Sequence, residues 1–449
     1  MYLRLWLIVL CLLVLPGQPW AQALDMGDQN NSQFAIRNSQ LTGKSSALVF
    51  PDYLQRSHII NFYEQEVHKS PDSPLPLRLL AAQYLKRFRE TGDVEDLLRA
   101  EQAARSSLAI QPYRNGISSM LLASALLSQH RFQEALDLVT DSQRLVPSEP
   151  SVVSLTASIQ MELGNYEAAH QLLQTLPDEE GLSGHNAVVA RYQELTGDLA
   201  GARELLEQTM QQMDSFYTNS AETRAWFHVR AGDLAFASGD LALSLQRYQE
   251  ALDLFPLELA AFTGLARLYA VQHRWQEALE AANQGIELVP LVETLGYKAD
   301  AQRALGARKG AAETEALIEV VGHLSQVKGI YDRALAVYYT EHGIHLPEAL
   351  QIAQREVALR DDIYAEDTLA WAAAANGHWQ DAQRASQQAT RYGTEDALLL
   401  FHAGTIALHC GDREVAIKQL TQALNLNPQF HYKYADEARR VLADLEETL

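Results

Sequence analysis

A short phrase recurs along this chain. A small residue is followed seven positions later by Gly or His, in most copies two positions further by an aromatic residue or leucine, and in most three after that by alanine. Successive copies lie mostly 33 or 34 residues apart, and they start at Ala123, Ala157, Ala190, Gly232, Ala266, Ala299, Ala370 and Gly404. A fixed period of this length indicates one supersecondary unit stacked many times. Such a stack builds a long binding surface and does not by itself build a reaction centre.

Within one unit the apolar residues have helical spacing. Ala266, Tyr269, Trp275 and Ala278 fall on one helical face on either side of a single break at His273. The spacing predicts two antiparallel helices of three to four turns joined by a tight turn. The sequence therefore predicts helical hairpins and no strands.

The break between the two helices has a consistent chemistry. It predicts a left-handed residue, which costs glycine nothing, and the residues there are Gly92, Gly164, Gly197, Gly239, Gly306, Gly377 and Gly411, with His130 and His273 in their place twice. Short polar residues that can cap the second helix follow at Asp93, Asn165, Asp198, Asp240 and Asp412. Small residues where the helix backbones approach are Ala135, Ala169, Ala202, Ala278, Ala311, Ala349, Ala382 and Ala416.

With small residue, turn glycine, aromatic residue and alanine in register, the chain resembles the tetratricopeptide repeat superfamily. The resemblance covers residues 77 to 428, about nine units, and its register is irregular near 77–112, 211–226 and 322–358. It implies an all-α fold, a right-handed α-solenoid of helical hairpins that binds peptides and assembles complexes. We expect residues 429–449 to form a C-terminal capping helix, because the last repeat exposes an apolar face.

The N-terminus has the pattern of a cleavable signal peptide. Arg4 precedes an apolar run from Leu5 to Leu15, and Ala21 and Ala23 form a small-x-small cleavage triplet. The apolar run is about half the roughly 20 residues that a membrane-spanning helix needs. We therefore predict an exported protein, periplasmic or in the cell envelope, secretion being the alternative. Residues 24–50 are predicted to be a flexible arm, and 51–76 a helix followed by a proline-rich linker.

Net charge limits the predicted classes of partner, and cysteine content limits the predicted disulfides. The formal net charge of −21 repels phosphate backbones and anionic lipid, so nucleic acid is not a predicted partner. No later segment is apolar enough to predict a membrane span. Cleavage would remove Cys11 and leave Cys410 alone, without an intramolecular disulfide.

The resemblance implies that the first helix of each hairpin lines the concave face. Polar residues at the corresponding positions alternate in charge along the middle of the array: Arg191, Glu194, Asp233, Arg267, Asp300 and Arg303. One interpretation is a groove that hydrogen-bonds an extended peptide, and the other is salt bridges between neighbouring repeats. Tyr338 and Trp371 predict either an aromatic patch on the same face or part of the core.

Motifs for catalysis and cofactor binding are missing. The sequence contains no HExxH, GxxxxGK[ST], GxSxG or paired CxxC, and we predict neither a cofactor nor a metal site. His402 and His409 share a helix face about 10 Å apart, too far to hold one ion. The lysine–asparagine clamp for a C-terminal carboxylate is also absent, because the matching positions hold Met120 and Ser124, Val229 and Asp233, and Thr263 and Arg267.

The sequence thus predicts a non-enzymatic, exported scaffold that binds a protein or peptide on the concave face of the solenoid. A second hypothesis is an accessory subunit of an envelope enzyme, a polysaccharide-export system or an outer-membrane assembly. A third is a hydrolase that uses Cys410 beside His409, and it has the least support because no catalytic motif accompanies the pair.

Overall fold

The computed structural model describes residues 52–145, 150–176, 183–215, 219–327 and 333–447, and within them the chain is helical with no strand. A 3-10 turn at Asp52–Gln55 comes first. The α-helices that follow are α1 (Arg56–Lys69), α2 (Pro74–Thr91), α3 (Val94–Ile110), α4 (Gly116–Ser128), α5 (Phe132–Leu145), α6 (Pro150–Glu162), α7 (Tyr166–Leu173), α8 (Ser183–Leu195), α9 (Leu199–Ser215), α10 (Ala221–Ala237), α11 (Leu241–Leu254), α12 (Leu259–Val271), α13 (Trp275–Leu288), α14 (Val292–Ala304), α15 (Arg308–Val327), α16 (Arg333–His342), α17 (Leu346–Leu359), α18 (Ile363–Ala375), α19 (Trp379–Ala389), α20 (Ala397–His409), α21 (Arg413–Leu426) and α22 (Tyr434–Glu447).

From α2 to α21 the helices pair in sequence order, α2 with α3 and so on to α20 with α21. The described residues hold ten such hairpins, and the irregular stretch near 322–358 supplies one of them, α16 with α17. Each hairpin also packs on the next, so the fold is the predicted all-α solenoid. Helix α22 follows the last hairpin and packs against α21 and α20, in the position predicted for a cap.

The hairpin turns have the predicted backbone. All seven turn glycines have positive φ, and so do His130 (φ 61°) and His273 (φ 55°), which replace glycine in two turns. The side chains of Asp93, Asp240 and Asp412 accept hydrogen bonds from amides in the first turn of the following helix. Asn165 takes the same position without such a bond. The eight marked alanines are buried, as close helix packing requires.

Early hairpins lie directly against late ones. The turns at Gly92, Gly164, Gly197 and Gly239 contact Val289, Asp361, Gly393 and Leu426 respectively, and we call this line of contacts the seam. Hydrogen bonds across it join residues 191 to 199 positions apart, for example Arg360 Nη1 to Glu162 Oε2 at 2.8 Å. At 33 or 34 residues per repeat this offset is about six hairpins. The solenoid therefore winds tightly enough to close on itself.

The loop between α21 and α22 crosses from the seam toward the inner face. Asn427 Nδ2 donates to the Phe236 carbonyl at 2.7 Å, and the Tyr432 hydroxyl donates to Asp300 Oδ2 at 2.6 Å. Lys433 Nζ donates to the Glu341 carbonyl at 3.2 Å. The loop thus joins the ends of α10, α14 and α16 and closes one side of the space between the first helices.

In the described ranges no helix combines the length and the apolar character needed to cross a bilayer. The predicted signal peptide (1–23) and arm (24–50) lie outside the described residues.

Candidate functional site

The inner face of α8, α10 and α12 carries a buried row of alternating charges. Glu194 pairs with Arg191 at 2.9 Å and with Arg230 at 2.7 Å. Asp233 pairs with Arg230 at 3.2 Å and with Arg267 at 3.0 Å. These five residues are at most 6% exposed, and we call them the charge ladder. It links three successive hairpins through charge-assisted hydrogen bonds, which are stronger than neutral ones.

Two contacts complete the ladder. The Tyr248 hydroxyl donates to Asp233 at 2.7 Å and accepts from Arg267 at 2.8 Å. Burial alone would raise the pKa of Glu194, but the charges of Arg191 and Arg230 outweigh it and hold that pKa below its usual value. Because the folded pKa is lowered, the stability that Glu194 contributes is present at neutral pH and is lost as pH falls through that lowered pKa.

Four of the predicted partner-binding residues, Arg191, Glu194, Asp233 and Arg267, therefore lie in ion pairs within and between repeats. Salt bridging is the second of the two interpretations that the sequence left open. Contact of these residues with a partner stays a prediction.

Beyond the ladder, the inner face contains a partly open cavity of about 200 Å³. It is lined by the first helices of six successive hairpins, α10, α12, α14, α16, α18 and α20, together with the loop before α22. Its carboxylates are Glu293, Asp300, Glu341, Asp367 and Asp396, its arginines are Arg267 and Arg333, and its tyrosines are Tyr297, Tyr338, Tyr364 and Tyr432. Arg267, Asp300 and Tyr338, which the sequence predicted as binding residues, line this cavity.

Asp300 is the centre of a hydrogen-bond network at the cavity wall. Its carboxylate accepts from Tyr432 and from His342 Nε2 at 2.8 Å, and it pairs with Arg303. His342 Nδ1 faces the Tyr338 carbonyl at 2.8 Å. Because carbonyl and carboxylate oxygens only accept, these two contacts favour a His342 ring that is protonated on both nitrogens. Burial acts to lower the pKa of His342, but the hydrogen bond and charge of Asp300 outweigh it and raise that pKa.

Glu341 has a different environment. In the described part of the chain its carboxylate accepts no hydrogen bond, and its ion-pair contact is with His431 Nε2 at 3.9 Å, beyond hydrogen-bonding distance. His431 Nδ1 accepts the backbone amides of Lys433 (3.2 Å) and Tyr434 (3.3 Å) at the start of α22. Burial lowers the pKa of His431 to about 3, so this ring is neutral at pH 7. Burial also raises the pKa of Glu341 to about 7.

The other two predicted binding residues lie beside the cavity and do not line it. Arg303 is partly exposed and pairs with Asp300 and Glu315, and it donates to the Tyr338 hydroxyl at 3.0 Å. Trp371 stacks on His402 with ring centroids 4.2 Å apart and packs edge-on against Tyr434. Trp371 thus contributes to the packing under the capping helix, while Tyr338 lines the cavity.

Comparison with known proteins identifies the repeat. A family model described as "Tetratricopeptide repeat" matches residues 229–291 and 368–431, which hold most of α10–α13 and of α18–α21. This is a tetratricopeptide-repeat protein. Over 301 residues it is 22% identical to the TPR repeat-containing protein YpiA of Bacillus subtilis (strain 168), an alignment that covers 66% of this chain. The chain spans about 60% of the length of that curated relative.

Three solved structures are also similar. The type IV pilus biogenesis factor PilW is 18% identical with a TM-score of 0.38, covering 46% of this chain and 93% of PilW. A tetratricopeptide repeat protein of Parabacteroides merdae is 18% identical with a TM-score of 0.40, covering 62% of this chain and 98% of its own. YrrB, described as a TPR protein with an unusual peptide-binding site, is 16% identical with a TM-score of 0.21, covering 53% and 99%. Likenesses at these TM-scores say nothing about the function of this chain.

Several residues that line the cavity were not predicted from the sequence. Glu341 and His431 were not singled out, because one lies in the last turn of a helix in an irregular repeat and the other lies in a loop. Tyr432 reaches Asp300 from 132 positions away, a contact that no periodicity encodes. The signal available was the aromatic run of the loop, Phe430, His431 and Tyr432, which is unusual for a surface connection.

The residues considered for metal or nucleophile chemistry make other contacts. His402 Nδ1 faces Asp367 at 3.0 Å, and His409 stacks on Trp379. The Cys410 thiol is 3.7 Å from the Trp379 carbonyl, while His409 Nδ1 faces the Thr405 carbonyl, so these two side chains do not pair. Among the described residues no group of three or more metal-ligating side chains converges.

Proposed function

We propose that this tetratricopeptide-repeat protein is an exported, non-enzymatic scaffold that binds a protein or peptide partner through the inner face of its second half, and that it acts in the periplasm or cell envelope. Repeats of this kind serve typically as protein-interaction scaffolds. The signal-like N-terminus supports export, and the lack of a catalytic motif supports a binding role.

The observation that carries the proposal is the cavity. Helices α8, α10 and α12 fill their part of the inner face with the charge ladder. Between the last turns of α10 and α12 and the helices α14, α16, α18 and α20, a space of about 200 Å³ lined by polar and aromatic side chains stays open. Concave, partly apolar spaces with a few convergent polar groups are the usual ligand sites of proteins. A partner side chain therefore has room here and has none at the ladder.

A cavity-filling variant tests the proposal. Val337 is half-buried and lines the cavity, so Val337→Trp is expected to occupy it. The matched control is Val320→Trp on the outer face of α15, where the valine is 54% exposed. Wild type and both variants would be immobilised and exposed to an envelope extract of the native host, with bound proteins quantified by mass spectrometry.

We expect at least one bound protein to fall about tenfold or more with Val337→Trp and to be unchanged with Val320→Trp, the variants having equal helical circular dichroism. Equal recovery of every bound protein by the two variants would overturn the assignment of the cavity. Amino-terminal sequencing of the native protein tests export separately, with Leu24 as the expected first residue.

A further inference from the structure

Resting on the proposed function, we propose that the cavity binds an aliphatic cation, the ammonium or guanidinium group of a lysine or arginine side chain or of a free amine. The cation would lie between the Glu341 carboxylate and the aromatic cavity wall. The proposal rests on four observations: an unsatisfied carboxylate, the aromatic residues around it, the cations already present, and the charge of the whole chain.

The first observation is the carboxylate. Glu341 lines the cavity, its side chain is 16% exposed, and no described group donates a hydrogen bond to it. A buried charge without a partner is costly unless a cation or hydrogen-bond donors compensate it. His431 does not compensate it, because Nδ1 of that ring is held by two backbone amides and the ring is neutral. The missing partner of Glu341 is a donor with positive charge.

The second observation is the wall. Tyr297, Tyr338, Tyr364, Phe430 and Tyr432 all line the cavity. The faces of aromatic rings attract ammonium and guanidinium groups, most strongly where water is excluded. The volume of about 200 Å³ exceeds the roughly 150 Å³ of cavities that hold a benzene molecule, so a lysine-sized chain has enough space.

The third observation concerns the cationic side chains in and beside the cavity, none of which reaches the Glu341 carboxylate closely enough to satisfy it. The two ring nitrogens of His342, which also lines the cavity, face Asp300 and the Tyr338 carbonyl and are not directed at Glu341. Arg267 pairs with Asp233, and Arg333 lies 4.0 Å from Asp362 and over the Tyr364 ring. Lys433 places its ammonium 3.2 Å from the backbone carbonyl of Glu341 and 5.2 Å from the centre of the Tyr434 ring. The chain itself therefore shows an ammonium close to both a carbonyl oxygen and an aromatic ring beside this site, while the Glu341 carboxylate accepts no hydrogen bond from it.

The fourth observation is the net charge of −21, which attracts cationic ligands and repels anionic ones at long range. An acidic peptide would bring like charge to a cavity that already holds five carboxylates. A basic group is the one chemistry that satisfies both the local pairing of Glu341 and the field of the whole protein.

Isothermal titration calorimetry at pH 8 and constant salt tests the proposal with three probes: n-butylammonium, octalysine and octaglutamate. The informative variant is Glu341→Gln, which keeps the shape of the side chain and removes its charge. The control is Glu313→Gln, which removes the same charge from a side chain that is 69% exposed on α15. The control corrects for non-specific attraction of octalysine to an acidic protein.

We expect Glu341→Gln to weaken binding of the cationic probe about tenfold or more, the effect of losing a hydrogen bond to a charged group, while Glu313→Gln changes it less than about twofold. A tenfold loss seen with octalysine indicates a peptide side chain, and one seen with n-butylammonium alone indicates a free amine. Octaglutamate is expected not to bind. Equal affinities of the two variants for both cationic probes would overturn the proposal. Binding of octaglutamate that is tighter than binding of octalysine would also overturn it.

This outcome is separable from the test of the proposed function. If Val337→Trp abolishes partner capture while Glu341→Gln leaves both partner and cation binding unchanged, the scaffold function stands and the cation site does not. Loss of fold is not expected in Glu341→Gln, because the substitution removes an uncompensated buried charge. Thermal unfolding at pH 8 checks this directly.

Discussion

The two halves of the inner face use the same repeat positions in different ways. Arg191, Asp233 and Arg267 follow the first small residue of their repeats and join the charge ladder. Asp300 has the same position in the hairpin that follows that of Arg267, and it lies at a cavity wall. A shared position in a repeat therefore specifies the direction of a side chain, and its neighbours decide whether the space in front of it is filled.

Side-chain length and the seam explain the difference. In the first half the arginines span from one first helix to the next, and the seam brings α18 close enough for Tyr364 to lie 5.5 Å from the Arg191 guanidinium. In the second half Gly296 has no side chain to extend into the cavity that it lines. A Cβ at Gly296 would lie 3.2 Å from the Tyr338 ring, so even alanine would crowd the wall.

The largest expected effect separates the ladder from a surface ion pair. Glu194→Ala leaves the guanidinium groups of Arg191 and Arg230 buried without their shared carboxylate, and we expect a loss of about 3–5 kcal/mol in the free energy of unfolding. The pKa of Glu194 is lowered in the folded state, so the loss should be the same at pH 6 and pH 8. Urea unfolding at both pH values measures it.

The control for this prediction is Arg384→Met, which removes a pair with Asp381 whose two side chains are 72% and 56% exposed. We expect a change within about 0.5 kcal/mol. A Glu194→Ala loss as small as this would mean that the ladder is solvated in solution and that the two halves of the inner face do not differ.

The next effect tests whether the seam closes the first half. Gly164 has φ +83°, and a Cβ there would overlap the Asp361 carbonyl across the seam, whereas Gly377 has φ +76° with nothing nearby. Both alanine variants carry the cost of a left-handed residue, about 1–2 kcal/mol. We expect Gly164→Ala to lose about 2–4 kcal/mol in total, because overpacking adds to that cost.

Thermal unfolding of Gly164→Ala and Gly377→Ala side by side measures the additional loss of stability that overpacking causes in Gly164→Ala. Hydrogen exchange adds a spatial reading, since only Gly164→Ala should speed exchange of amides on the far side of the seam, around Ile363. Equal melting temperatures for the two variants would show that the turns do not press on each other.

The smallest expected effect is a pH-dependent change in stability at Glu341, in contrast to the pH-independent loss expected at Glu194. Burial raises the folded pKa of Glu341 to about 7 from an ordinary 4.5, so the folded state holds its proton more tightly. Stability contributed by the protonated form is present below about pH 4.5 and is lost as pH rises through 7. Glu341→Gln should therefore stabilise the protein by about 2 kcal/mol at pH 8 and by almost nothing at pH 5.

The stability difference between Glu341→Gln and wild type, measured by urea unfolding from pH 5 to pH 8.5, checks this sign. Glu313→Gln on the exposed face should give a flat profile. A Glu341→Gln profile that is equally flat would indicate that water or a cation already compensates the carboxylate in solution.

Local features of the fold were predictable from the sequence because neighbours along the chain determine them. The turn at Gly164 was identified by a break in helical spacing, and His273 was correctly predicted to replace glycine with positive φ. The alanines at the helix crossings were predicted from the period alone. Each of these features depends on residues within one hairpin, so one repeat contains all the information.

The candidate site was predictable only in part. Arg267, Asp300 and Tyr338 were assigned to the inner face, and they line the cavity. The sequence could not separate ladder from cavity, because that depends on whether the next turn of the solenoid fills the space. Glu341 was missed because its distinguishing property is the lack of a donor, and a lack of contact leaves no trace in spacing.

By itself the sequence determined the hairpin, its turn chemistry and the stacking of hairpins, because short-range spacing and backbone preference fix those. Only the tertiary structure decided where the inner face is closed and where it is open. The reason is that closure depends on a small rotation between neighbouring hairpins. Repeated over about six of them, it brings Asp361 onto Gly164, and over about four it brings Tyr432 onto Asp300. No single repeat specifies this accumulated rotation, and the cavity exists because of the rotation.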